Sequence, residues 1–167
     1  MSFDYTWSKN EANFGSPIPK QVSGGMHITF EIILEYEKSF VALRRPSAIP
    51  EHEIPQKAAY YPNGLLYFCH GLIRYGESTE ECVKRIVKEQ ANVEIINYKI
   101  IDIWSEIQDK DDQWSFTPGI IAEIESLPKI KDGKDSITEI IKFNKNSIPE
   151  DFGWWDRKEL REFLDAK

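Results

Sequence analysis

Alternation of apolar and polar residues is the clearest pattern in the first half of the chain. Apolar side chains fall on every second position from Ile28 to Leu34, which is the period of a β-strand. Lys38 and Ser39 follow as a turn, and residues 40–45 are apolar again, so the pattern predicts a β-hairpin. Further extended segments are predicted at residues 65–69, 93–107, 115–124 and 136–143.

Helical spacing of apolar residues appears twice. The first helix is predicted from residue 79 to about 91, because Ser78 and Glu81 have the spacing of a capping box and an apolar stripe follows them. The members of that stripe are Cys82, Val83, Ile86 and Val87. The second helix is predicted at residues 155–164, with Leu160, Phe163 and Leu164 facing inward. Strands, a helix, more strands and a final helix indicate an α/β fold.

Two segments lack a clean period. Residues 1–25 contain prolines, glycines and scattered aromatic side chains, and we predict an arm laid over the surface of a domain that spans residues 26–167. Residues 46–63 hold four prolines and are charged and irregular. Loops of this length are usually functional or disordered, so a lid over a substrate and a solvated insertion are both open.

Composition narrows the function classes. A chain of 167 residues with 41% hydrophobic residues suits a single soluble domain. Its net charge of -7 argues against a general nucleic-acid partner, because phosphate backbones favour a basic surface. We find no apolar run long enough for a membrane span and no zinc-ligand spacing around the two cysteines. A cytoplasmic protein is the simplest interpretation.

The strongest motif begins at Gly71. Five residues separate this glycine from Glu77, seven more precede Arg85, and Glu89 lies four positions further on. This spacing resembles the Nudix box, the loop–helix–loop element of hydrolases that act on nucleoside diphosphates linked to another group. The resemblance covers roughly residues 26 to 165. It implies a Nudix-type α/β/α sandwich with a mixed β-sheet, in which Gly71, Glu77 and Arg85 shape the loop and helix.

The box departs from the family pattern at three positions. Ile86 stands where the family has a glutamate after the arginine, Gln90 stands for the second of two adjacent glutamates, and Asn92 stands for a glycine. An isoleucine can neither bind a metal ion nor act as a base, and loss of a general base typically slows a reaction about 10²–10⁴-fold. The motif therefore predicts the fold more firmly than the activity.

The resemblance implies a divalent metal site for Mg²⁺ or Mn²⁺. Its ligands would be the Glu89 carboxylate, the amide oxygen of Gln90 and the backbone carbonyl of His70, just before the box glycine. The alternative for Glu89 is a salt-bridge ladder along the helix with Arg85 and Glu81. Side-chain participation of His70 as a base is a second open alternative.

Other family positions fall outside the box. Glu150 and Asp151 match a place, before the last helix, where relatives carry a catalytic or metal-binding carboxylate; a polar loop that caps the helix is the alternative. Arg44 and Arg45 match strand-end positions that often face substrate phosphates, although strand-end solvation explains them equally well.

One branch of the family, the GDP-mannose mannosyl hydrolases, also lacks the glutamate that Ile86 replaces. Its insertion before the box and its Asp-aromatic-x-Trp ending look similar to this chain. That branch keeps a glutamate where Gln90 stands and places a catalytic histidine near Pro149. The likeness is therefore one of architecture and assigns no substrate.

Two functional hypotheses follow. The first is a metal-dependent hydrolase of a nucleoside diphosphate linked to a sugar or similar group. The alternative is a catalytically inactive Nudix domain that binds a nucleotide-like ligand or a protein. The expected partner is a nucleotide-like small molecule or, for the second hypothesis, a protein, and neither hypothesis expects nucleic acid or a membrane. A homodimer that exchanges the N-terminal arm is an additional hypothesis.

Overall fold

The computed structural model describes residues 26–46, 49, 51, 54–108, 113–133 and 136–166, and these form one seven-stranded mixed sheet with two α-helices. The predicted arm at residues 1–25 lies outside the described residues. The strands are β1 (Met26–Tyr36), β2 (Ser39–Arg44), β3 (Leu66–Tyr67), β4 (Cys69–Leu72), β5 (Ile95–Gln108), β6 (Gln113–Ile124) and β7 (Glu139–Phe143). The helices are α1 (Thr79–Ala91) and α2 (Arg157–Asp165), and a 3-10 helix covers Gln56–Tyr60 within the proline-rich segment.

The predicted hairpin is confirmed. Glu37 and Lys38 form its two-residue turn with φ values of 48° and 63°, which match the right-handed twist of the flanking strands. The turn predicted at Lys38 and Ser39 was thus placed one residue too late, and strand β2 already begins at Ser39.

The single strand predicted at residues 65–69 is wrong. The chain crosses there from one neighbour to another, so that β3 pairs with β2 while β4 pairs with β1. Phe68 lies between the two short strands with a fully buried side chain. The last strand also differs from its prediction. Strand β7 begins at Glu139, three residues later than predicted, and Ile137 forms only an isolated bridge with Lys131.

The sheet order is β3-β2-β1-β6-β5, with β1 and β6 parallel and the other pairs antiparallel. Helix α1 covers one face through its apolar stripe, and α2 covers the other through Leu160, Phe163 and Leu164. The predicted α/β/α sandwich is therefore confirmed. Strand β1 is buried on both faces, since Ile32 packs under α1 and Ile33 packs under α2.

Both cysteines, Cys69 and Cys82, are free thiols inside the α1 core. Neither described α-helix combines the length and the apolar character that a membrane span requires. The helices instead serve the two cores, and the loops around α1 form the site described next.

Candidate functional site

Helix α1 begins and ends where its sequence dictates. The Ser78 hydroxyl accepts a hydrogen bond from the Glu81 amide at 3.3 Å, and the Glu81 carboxylate accepts one from the Ser78 amide at 2.8 Å. These two bonds satisfy free amides of the first turn. The helix ends at Asn92, which adopts the left-handed conformation with φ of 53°. Asparagine tolerates this conformation better than most residues, so it replaces the box glycine without losing the helix end.

Glu77 and Arg85 hold the box loop against the helix. The arginine donates from Nη2 to Glu77 Oε2 at 2.8 Å and to the Leu72 carbonyl at 2.9 Å. The Arg74 amide donates to the same carboxylate at 2.7 Å. The Arg85 guanidinium lowers the pKa of Glu77 to about 2, so the pair is fully charged at neutral pH. Gly71 lies in β4, and a Cβ at that position would lie 3.3 Å from Ile86 Cδ1, so the glycine lets α1 pack closely against the strand.

Glu89, the strongest metal-ligand candidate, is bound by two arginines. Its Oε2 lies 3.3 Å from Arg85 Nη1, and its Oε1 lies 3.1 Å from Arg74 Nη2. The Lys131 ammonium approaches the Glu89 carbonyl at 3.4 Å. The salt-bridge alternative for Glu89 is therefore present in part, since Glu81 turns back to the helix N-terminus instead of joining the ladder.

Gln90, the second predicted ligand, forms hydrogen bonds with the backbone of His70, whose carbonyl is the third predicted ligand. Its Oε1 accepts from the His70 amide at 3.0 Å, and its Nε2 donates to the His70 carbonyl at 2.5 Å. The same Oε1 accepts a third bond from Arg45 Nη1 at 2.8 Å. The Gln90 amide therefore donates to the His70 carbonyl, which the resemblance implies as a metal ligand.

Arg44 and Arg45 point to opposite faces of the sheet, as neighbouring strand residues do. Arg45 lies under α1 with 4% of its surface exposed and binds Gln90. Arg44 pairs with Glu139 at 2.6 Å and with Asp151 at 2.7 Å. Arg44 thus joins β2 to β7 and to the loop before α2.

The carboxylates predicted before the last helix lie in structural ion pairs. Asp151 binds Arg44, and Glu150 binds Arg157 at 2.8 Å. The backbone of this loop is also attached to β3, where the Asp151 carbonyl accepts from the Leu66 amide at 2.8 Å. The partners of these two carboxylates are thus Arg44 and Arg157, while the tryptophan that follows them, Trp154, packs on the His70 ring with centroids 4.9 Å apart.

Sequence reasoning missed Glu31. This carboxylate lies on β1 with 5% exposure, accepts a hydrogen bond from Trp155 Nε1 at 3.0 Å and lies 3.2 Å from His70 Nδ1. Burial raises the pKa of Glu31 to about 7, and burial likewise lowers the pKa of His70 to about 4. The sequence did contain one indication of this. Ile33 lies on the same face of β1 as Glu31, and an apolar residue there indicates that this face is also buried.

Solved structures share this architecture at low sequence identity, whereas neither a family model nor a curated protein gives a significant match. A MutT NUDIX hydrolase from Burkholderia pseudomallei superposes with a TM-score of 0.60 and 14% identity, over 81% of this chain and 95% of its own. An ADP-ribose pyrophosphatase from Streptococcus suis gives 0.55 and 12%, over 84% and 90%. The Bacillus subtilis pyrophosphohydrolase BsRppH, solved as a point mutant, gives 0.56 and 15%, over 83% and 78%. The chain has the Nudix fold.

The donor set of this Nudix box does not fit a magnesium site. Magnesium prefers carboxylate and water oxygens in a near-ideal octahedron. Here Glu89 is shared between two guanidinium groups, and Gln90 and the His70 carbonyl are bound to each other. Ile86, where a further carboxylate would stand, is 1% exposed and packs in the α1 core. Among the described residues no group of three His, Cys, Asp or Glu side chains is placed to hold a metal ion.

The Nudix box, residues 71–93, carries four cationic and four anionic side chains, and two cations from outside it, Arg45 and Lys131, contact the end of its helix. We use the name box cluster for Arg45, Arg74, Arg85 and Lys131 together with the two carboxylates, Glu77 and Glu89, and the Gln90 amide that they contact. Arg74 and Arg85 contact the two carboxylates, Arg45 contacts the Gln90 amide oxygen, and Lys131 contacts the Glu89 backbone carbonyl. Such a cluster disfavours a divalent cation and favours an anion.

Proposed function

We propose that this protein is a Nudix-fold domain that binds a nucleoside diphosphate or a related phosphate ester without a box metal ion and without hydrolysing it. The observation that carries the proposal is the box cluster, in which cationic side chains contact the Glu89 carboxylate and the Gln90 amide, where the resemblance implies metal contacts. Chains with the same fold are described as an ADP-ribose pyrophosphatase and a pyrophosphohydrolase, which supports a phosphate-bearing ligand.

Arg74 and Lys131 are the cations best placed to reach such a ligand. The Arg74 side chain is 63% exposed and binds Glu89 from outside, and Lys131 is half-buried beside the end of α1. Arg45 is buried, so its charge acts through Gln90 and not by direct contact. Guanidinium and ammonium groups bind phosphate oxygens strongly through charge-assisted hydrogen bonds.

A metal-dependent hydrolase is the second candidate. It is favoured by the position of Glu89, which is half-exposed on the box helix, and by the hydrolases among the solved structures with this fold. Glu150 and Asp151 stay predictions as catalytic residues for this candidate. For hydrolysis, Gln90 would have to leave the His70 carbonyl and Glu89 would have to leave its arginines.

Calorimetric titration with ADP and with nucleoside diphosphate sugars, in EDTA and then in magnesium, tests the proposal. We expect equal affinity in both buffers and about tenfold weaker binding for Arg74→Gln and for Lys131→Gln, because each loses one charged hydrogen bond. Lys158→Gln is the matched control, since Lys158 is an exposed cation on α2.

Product release from the same ligands, with Glu89→Gln beside wild type, separates the two candidates. Metal-dependent turnover that disappears in the variant would establish the hydrolase and overturn the binding proposal. Absence of both binding and turnover, from folded protein, would overturn both.

A further inference from the structure

Strand β5 is the last strand of the described sheet, and one of its edges is open. It pairs with β6 along one side, and the strand order ends there. In the part of the chain that the structure describes, no strand pairs with its other side. Such an edge presents a row of backbone donors and acceptors that can pair with a further strand.

The α1 face of this edge is apolar and exposed. We use the name β5 patch for Ile100, Ile103 and Ile107 of β5 and Phe116 of β6, which are 43%, 48%, 64% and 36% exposed. Ile100 lies opposite Ile120, which belongs to the α1 core, so the patch begins where the cover of α1 ends. Contiguous apolar surface commonly marks an interaction site.

The α2 face of the same edge carries exposed carboxylates. Asp102 and Glu106 are exposed on either side of Trp104. The Trp104 ring packs on Phe163 of α2, which identifies this face as the α2 face. A strand that completes the edge should therefore have apolar side chains on one face and polar side chains on the other.

The sequence of residues 2–8 has this pattern, because aromatic residues occupy every second position and polar residues lie between them. The aromatic positions are Phe3, Tyr5 and Trp7, and the polar positions are Asp4, Thr6 and Ser8. This alternation is typical of a half-buried strand. An aromatic side chain buries about 150–250 Å², so three of them can cover a patch of this size. We propose that residues 2–8 pair with the open edge of β5 in the same chain and place their aromatic side chains on the β5 patch.

The connection to β1 is long enough for this arrangement within one chain. Strand β1 begins at Met26, which pairs with Trp114, and Trp114 pairs in turn with Ile107. Neighbouring strands are about 5 Å apart, so β1 begins about 10 Å from the near end of the patch. The patch extends about 23 Å along β5. Residues 9–25 can span about 50 Å when extended, so residues 2–8 can reach all of it.

Hydrogen exchange of single amides, followed by NMR on the full chain, tests the proposal. In wild type we expect slow exchange for alternate amides of residues 2–8 and for the β5 amides that point away from β6. The triple variant Phe3→Ser/Tyr5→Ser/Trp7→Ser should speed up both sets at least tenfold, because no aromatic side chain then holds residues 2–8 on the patch.

A reciprocal variant and two controls separate this contact from a general loss of structure. Ile103→Ser should also speed up exchange in residues 2–8 at least tenfold. Ile130→Ser, at an isoleucine that is 67% exposed on a loop outside the patch, should leave it unchanged. Asp4→Asn/Ser8→Thr, which changes only the polar positions, should leave it unchanged too. The amides of β1 and α1 report the fold and should keep their exchange rates in every variant.

Three results would overturn the proposal. Residues 2–8 of wild type that exchange as fast as an unstructured peptide would do so, as would protection that survives in the triple variant or in Ile103→Ser. The third result is protection that disappears on dilution while light scattering shows the mass falling from twice the chain mass to 19.5 kDa, because residues 2–8 would then bind a second copy. None of these measurements involves a ligand, so their outcome is independent of the proposed function.

Discussion

Glu31 is a buried acidic residue that the alternating pattern of β1 did not predict as part of a site. Its carboxylate is buried between Trp155 and His70, and its pKa is raised to about 7 by that burial. The ring of His70 has its pKa lowered to about 4. Between pH 4.5 and 6.5 these two shifts act on stability in opposite directions, because the folded state holds the Glu31 proton more tightly and the His70 proton less tightly.

The first prediction concerns Glu31→Gln. In wild type the contribution of Glu31 to stability falls as pH rises from about 4.5 to about 7, because the unfolded state then binds fewer protons than the folded state. Glutamine does not titrate, so Glu31→Gln lacks this loss of stability with rising pH. Its free energy of unfolding relative to wild type should therefore rise with pH across that window, by up to about 3 kcal/mol.

Urea unfolding at pH 5, 6, 7 and 8 measures this difference. Glu123→Gln, an exposed carboxylate on β6, is the matched control. A difference between Glu31→Gln and wild type that stays constant with pH would contradict the buried, proton-holding state of Glu31.

At the scale of an element, α1 owes its boundaries to residues at its two ends. The Ser78–Glu81 capping box fixes the first turn, and the left-handed Asn92 fixes the last. The Glu77–Arg85 pair then holds the box loop against the helix. These features are kept although Ile86 and Gln90 have replaced carboxylates, so the shape of a Nudix box can persist without its ligand set.

The second prediction concerns Ser78→Ala. Loss of the N-cap acceptor should lower the free energy of unfolding by about 1 kcal/mol, whereas Ser78→Asp should keep most of it because a carboxylate also accepts from the Glu81 amide. The midpoint of urea unfolding reports both changes. Ser126→Ala, at an exposed loop serine, serves as the control. Equal stabilities for the alanine and aspartate variants would argue against the cap.

At the scale of the molecule, the position of α2 depends on one small residue in the sheet. A Cβ added to Gly119 of β6 would lie 2.5 Å from Phe163 and 2.6 Å from Trp104. These rings also contact each other, with centroids 6.0 Å apart. The second face of the sheet therefore accepts α2 only because β6 has no side chain at this point.

The third prediction is a double-mutant cycle. Gly119→Ala should destabilise the protein by about 1–3 kcal/mol through overpacking, and Phe163→Leu should recover part of that loss when the two are combined. Thermal and urea unfolding of the two single variants and the double variant give the coupling energy. Strictly additive effects would show that the two residues do not share this contact.

The sequence by itself determined the parts that depend on short separations. The limits of α1, its capping box and the eight-residue spacing from Glu77 to Arg85 are set by local hydrogen bonding and helical periodicity. The hairpin follows from the apolar strands on either side of it, but its turn was predicted one residue too late, because Glu37 and Lys38 adopt positive φ values that these residue types do not favour. The tertiary structure decided the rest of the site. Arg45 meets Gln90 across 45 positions, and Glu31 meets Trp155 across 124. Such contacts follow from strand order and register, which local preference does not encode, and they decide whether a box residue faces a metal ion or another side chain.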